Sequence, residues 1–98
     1  MAKLPVPIAF DWEQGNIEKN RKKHGVHDKE AEEVFFNKPL RIFPDKKHSQ
    51  KEERFLALGM TNLKRKVTII FTIRYDEVRI ISVRDQNRKE RTIYEKTN

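Results

Sequence analysis

Cysteine is absent from this chain of 98 residues, which excludes disulfide staples, thiol nucleophiles and thiolate zinc sites and fits a reducing compartment. Stability must then come from packing. Long apolar runs are missing too. VTIIFTI at residues 67–73 falls far short of the roughly 20 residues that a membrane helix needs, and residues 1–7, MAKLPVP, lack the apolar centre of a secretory signal. The expectation is a soluble, cytoplasmic protein. There are no internal repeats or low-complexity tracts. His24 and His27 are separated by Gly25, so the i,i+4 histidine pair of a zinc helix is also missing, and neither a metal nor a cofactor is expected.

What the chain has is charge. Twenty-two Lys and Arg against 15 Asp and Glu leave a formal charge of +7, which favours a polyanion, a membrane surface or an acidic protein as partner without choosing among them. A hydrophobic content of 36% supports one core and not two, so residues 1–98 are read as a single domain in which 1–7 form an extended leader.

Residues 13–24 suit a helix with a thin apolar face. Arg21, Lys22 and Lys23 in its last turn oppose the negative end of the dipole, and Gly25 supplies a left-handed stop. Val26 can pack back on that helix. A second helix is expected from about Asp28 to Phe36, with Asp28 as cap or first-turn acid and Ala31, Val34 and Phe35 at core spacing. After Pro39 the period changes to that of strands, at LRIF (40–43), RFLALGM (54–60), KVTIIFTI (66–73) and EVRIISVR (77–84). The connections NLKRK and RYDE are short enough to close hairpins, which makes the last three strands an antiparallel meander. Asn87 can cap a final helix over 88–96, with Glu90 at the reciprocal position of a capping box. The predicted fold is α+β: two N-terminal helices packed on a small antiparallel sheet, with a short C-terminal helix. AFDW, residues 9–12, reads as an edge strand or a hydrophobic anchor.

Strand alternation sorts the side chains. Phe55, Ala57, Ile69, Phe71, Ile81 and Val83 fall on one face, expected beneath the N-terminal helices. Arg54, Thr68, Thr72, Arg74, Ser82 and Arg84 fall on the other, among Leu56, Leu58, Ile70 and Ile80. That second face has little to cover it. Arg88 and Lys89 stand in the first turn of the last helix, where the dipole disfavours cations. A phosphate held by Arg84, Arg88 and Arg91 would account for them, because guanidinium groups offer phosphate two donors at once. Alternatively, Arg91 pairs with Glu95 and Arg88 faces solvent. His48 stands in the charged loop KKHSQKEER, which brings an imidazole, Glu52, Glu53 and Arg54 near one sheet edge.

The ordered set FDW (10–12), KHGV (23–26), EAEEVF (30–35), EERFLALG (52–59) and IISVRDQNRKER (80–91) resembles the BrnT toxins of type II toxin–antitoxin modules. The resemblance implies a RelE-like fold and a ribonuclease that inhibits translation and growth by cleaving RNA. It also implies neutralisation by a ribbon-helix-helix antitoxin, BrnA. One departure is His27, where the family usually has Ser or Thr. Losing that hydroxyl is expected to move the helix cap to Asp28 and to cost about 1 kcal/mol if uncompensated.

RNA cleavage without a metal needs a base for the 2′-hydroxyl, an acid for the leaving oxygen, and cations for the charge developing on phosphate. Arg54 and Arg84 are the candidates for phosphate stabilisation. Lys23, Arg74, Arg88 and Arg91 are candidates for binding the RNA backbone. His48, His24 or Glu53 can transfer protons, and Glu53 can instead hold an arginine in place. The competing reading is a non-catalytic basic module that binds RNA or protein. What separates the two is whether a proton carrier and two arginines converge on one phosphate-sized space.

Overall fold

In the computed structural model, which describes residues 4–6, 8–12 and 25–96, five strands form one sheet. They are β1 (Phe10–Asp11), β2 (Arg41–Pro44), β3 (Arg54–Met60), β4 (Lys66–Arg74) and β5 (Glu77–Asp85). The spatial order is β1-β5-β4-β3-β2. A helix α1 (Asp28–Val34) lies between β1 and β2, a 3-10 turn (Lys46–His48) follows β2, and α2 (Arg88–Glu95) closes the chain.

The β3-β4-β5 meander is antiparallel, as the two short hairpin connections predict. The expectation of two N-terminal helices on a small antiparallel sheet is corrected. The described residues form a mixed five-stranded sheet with a single helix between β1 and β2 and a short C-terminal helix. The other expected helix, at 13–24, lies outside the described residues. The mixed character comes from β1, which pairs parallel to β5 through Phe10 with Val78 and Asp11 with Arg79. Two residues carry no alternation to read. Tertiary contacts hold them instead: the Val78 N–H donates to the Ala9 carbonyl at 2.8 Å, and the Phe10 ring meets Phe35 and Phe36 edge-on at 5.5 and 6.2 Å between centroids.

Gly25 adopts φ +63°, the left-handed conformation expected of it, while the helix it was expected to stop lies outside the described residues. Val26 is buried directly after it. Arg65, from the β3-β4 hairpin, fastens this junction by donating to the Gly25 carbonyl at 3.0 Å while its other nitrogens hold Asp85 at 2.7 and 3.2 Å. The cap of α1 stays at His27, whose backbone is extended, and Asp28 is the first helical residue. Glu30 still reaches back to the His27 N–H at 3.2 Å. The expected shift of the cap to Asp28 does not occur, because this backward bond fixes the helix start without the missing hydroxyl.

Beneath α1, Ala31, Val34 and Phe35 meet Phe55, Ala57, Val67, Ile69 and Phe71. Phe71 is the centre, with its ring 5.3 Å from Phe35 and 5.4 Å from Phe55. Gly59 lets α1 approach the sheet: a Cβ there would overlap the Val34 Cγ1.

Strand alternation predicts the faces of β3 and β4 correctly and misassigns half of β5. Ile69 opposes Val83 and Ile70 opposes Ser82, but Phe71 opposes Ile80, so a bulge leaves Ile81 as an extra residue. From that point alternation reverses. Ile80 and Val78 enter the core with no exposure, whereas Ile81, expected in the core, lies half-buried on the opposite face.

Candidate functional site

The sheet face away from α1 carries a groove made by strand residues and by α2. The same face carries two threonines, Thr68 and Thr72, that pleating would send into solvent but that are buried. The Thr72 hydroxyl donates to the Glu53 carbonyl at 2.7 Å and the Thr68 hydroxyl to Glu90 Oε1 at 2.8 Å.

Glu90 is the hub. Its backbone N–H donates to the Asn87 side chain at 2.8 Å, and its Oε1 accepts the Asn87 N–H at 2.9 Å, completing the expected capping box. The same carboxylate takes Arg84 in a fork, Nη1 to Oε1 at 2.7 Å and Nη2 to Oε2 at 2.9 Å. Burial works against ionisation of Glu90, but the bonds from Arg84, the Asn87 N–H and Thr68 outweigh it and hold its pKa below the ordinary carboxylate value. The Arg84 pKa is raised by the same fork. Of the five guanidinium N–H groups of Arg84, three go to Glu90 and the Asp85 carbonyl, which leaves the Nε–H and one Nη2–H. Arg84 is therefore a locked side chain with two directed donors to spare.

Arg84 and Arg54 line one cavity of about 330 Å³ together with Asp45, Ser82, Ile70 and Ile81. Arg54 lies 3.8 Å from Glu52, beyond hydrogen-bond range. Glu52 bonds instead to Arg74 Nη2 at 2.9 Å. Arg54 and Arg74 share a second cavity of about 500 Å³ with Lys47, Lys51 and Glu52. Arg54 thus borders both hollows.

Of the nine residues expected at a site, Arg54 and Arg84 are brought together, and Arg74 joins Arg54 through Glu52. Glu53 is exposed, lines neither hollow, and uses its carbonyl to hold Thr72. His48 ends the 3-10 turn of the 45–53 loop; its side chain is not among those described. Lys23 and His24 lie outside the described residues. Arg91 donates to the Gln86 carbonyl at 2.7 Å, not to Glu95, which takes Lys66 at 2.8 Å. Arg88 is exposed in the first turn of α2. Among the lining residues that were missed are Asp45 and Lys89. Asp45 looks from sequence like one more loop acid, and Lys89 like a neighbour of Arg88; only the fold turns them into the groove. Among the described residues, no group of three or more His, Cys, Asp or Glu is placed to hold a metal ion, and no helix is long and apolar enough to cross a membrane.

Fold and groove together define a small protein with a five-stranded mixed sheet, sealed on one face and bearing an arginine-walled hollow on the other. A family model described as the ribonuclease toxin, BrnT, of type II toxin–antitoxin system matches residues 12–90. The chain belongs to this family of ribonuclease toxins, and membership implies an RNA substrate and an antitoxin partner. Among solved structures, the crystal structure of the Brucella abortus ribonuclease toxin, BrnT, is similar in fold, with a TM-score of 0.60 and 21% identity over 83% of this chain and 97% of that one. Comparison with curated proteins finds no match.

Proposed function

We propose that the protein is a metal-independent endoribonuclease toxin that inhibits translation and growth by cutting RNA at the hollow between Arg54 and Arg84. The observation that carries this reading is the sharing of one hollow by two guanidinium groups and a carboxylate, Asp45. In the proposed reaction a base takes the proton of the 2′-hydroxyl, whose oxygen attacks the adjacent phosphorus. The bond to the 5′-oxygen breaks and that oxygen takes a proton, leaving a 2′,3′-cyclic phosphate and a 5′-hydroxyl.

Arg84, held by Glu90, offers its two remaining N–H groups to the phosphate oxygens without reorganising, the condition under which such donors count most. Arg54 offers its donors from the neighbouring wall. Proton transfer falls to the 45–53 loop, with Asp45 at the hollow and His48 three residues on; His24 and Glu53 are the further candidates. Lys23, Arg74, Arg88 and Arg91 steer the RNA backbone, and a ribbon-helix-helix antitoxin is the proposed neutralising partner.

The test is incubation of purified protein with end-labelled RNA in excess chelator. Expected are fragments ending in 2′,3′-cyclic phosphate, lost on Arg54→Ala. Cleavage that requires an added divalent ion would overturn metal independence. Binding of RNA with no cleavage in either condition would leave the non-catalytic basic module in its place.

A further inference from the structure

Resting on that reading, we propose that the apolar hollow between β2 and α2 is a nucleobase subsite, which holds the base of a nucleotide next to the cleaved phosphate. The hollow has a volume of about 320 Å³ and is walled by Phe43, Leu56, Leu58 and Ile93, with Asn87 and Lys89 at the α2 side. That volume is at the lower limit of small-molecule sites, about 300–1,000 Å³. It suits a single ring system better than an extended chain.

Three observations favour a base as the occupant. The first is continuity: Asp45 and Leu56 line both this hollow and the arginine hollow, and the Arg84–Glu90 fork spans the two, with Arg84 in one wall and Glu90 in the other. A ligand with an anionic group between Arg54 and Arg84 therefore has its neighbouring ring over apolar walls. The second is the aromatic wall. Phe43 opposes Leu56 across the β2-β3 ladder, away from the core, and the Arg41 guanidinium lies 5.6 Å over its ring. An aromatic ring steadied by a cation is a stacking platform of the kind that takes any base. The third is polar. Asn87 spends its Oδ1 on the Glu90 N–H, which fixes the orientation of the amide and leaves its NH₂ as a donor among the lining groups. Lys89 adds a cation at the same rim. Apolar walls with a few fixed polar groups distinguish a base from a stretch of sugar and phosphate alone.

The test uses an RNA on which the cleaved phosphate has been mapped, made uncleavable by a 2′-O-methyl group at that position, together with versions carrying an abasic ribose on either side. With wild-type protein, removing the base on one side is expected to weaken binding about tenfold, the effect of losing one stacked base. Phe43→Ala should bind the intact RNA about as weakly as wild type binds the abasic one, with no further loss when the base is then removed. Ile93→Ala, at a position 40% exposed and so remote from the core, should repeat that pattern more weakly without affecting folding. Equal binding of intact and abasic RNA by wild type would overturn the subsite while leaving the phosphate reading intact. So would a base effect that persists in Phe43→Ala. Weakened antitoxin binding by Phe43→Ala with unchanged RNA discrimination would assign the hollow to a protein segment instead. Failure of wild type to bind the RNA in a salt-dependent way would overturn the phosphate reading and the subsite together.

Discussion

One face of the sheet is sealed by α1 and holds Val67, Ile69, Phe71, Ile80 and Val83, none of them exposed. The other, built from the same β3-β4-β5 meander, carries Arg54, Thr68, Thr72, Ser82 and Arg84, and its polar groups are tied to one another and to α2. On the sealed face the energy lies in contact and the geometry tolerates little change in volume. On the groove face it lies in directed bonds, and side chains such as Arg84 are fixed while retaining donors. A pleated strand can serve both, because alternate residues answer to different physics. The contrast implies that substitutions on the two faces have separable effects on stability and activity.

The largest effect is expected on the sealed face. Phe71→Ala removes the ring at the centre of the aromatic cluster and should cost about 3–5 kcal/mol in urea melts. A loss below about 1 kcal/mol would mean that this face does not carry the fold. On the groove face, Arg54→Ala should lower RNA turnover by about 10²–10³ while the melting curve barely moves, since the ion pair it loses is a loose one. Arg84→Ala blurs the division: it should lose activity and some stability, because it strands the Glu90 carboxylate, whose side chain is only 12% exposed.

Gly59→Ala returns to the sealed face from the opposite direction. The added methyl collides with the Val34 side chain, and Val34 or the helix that carries it must shift, at about 1–3 kcal/mol by denaturation. Glu90 gives the groove face a pH signature. Its folded pKa is lowered, so its contribution is present above the ordinary carboxylate range and disappears as pH falls through the lowered value. Stability of the wild type should therefore decline below about pH 5, and Glu90→Gln should show a shallower decline in thermal melts across that range. Smallest is the salt effect: Lys89→Ala should reduce the dependence of RNA affinity on log[salt] by at most about one, and Arg88→Ala by less, since Lys89 lines the groove.

The local chemistry was legible in the residues. Gly25 takes the left-handed region, Asn87 and Glu90 form their box, and the hairpins at 61–65 and 75–76 pair their strands in order. Arg54 and Arg84 were placed on one open face from alternation, and they line one hollow. What alternation missed lies beyond the bulge at Ile70/Phe71, which exchanged Ile81 for Ile80 in the core and put Ile81 beside the arginines. No residue near it announces a bulge: IISV is apolar enough to be read in either register. Asp45, Lys89 and Glu90 were legible as loop acid, surface cation and cap, but not as groove residues.

By itself the sequence determined the strands of the meander, the left-handed backbone at Gly25, the start of α2, the basic balance and the presence of arginines at alternating positions. These depend on neighbours a few residues apart, through dihedral preference, capping and pleat. Only the tertiary structure decided that Phe10 and Asp11 join the sheet parallel to β5, that the pleat of β5 reverses midway, and that one carboxylate, Glu90, caps α2 while locking Arg84. Each of these rests on groups far apart in the chain, whose pairing is set by how aromatic rings and helices fill the space above the sheet. A short edge strand or a bulge differs from its alternatives by no more than a few local contacts, so the packing of the whole molecule settles it.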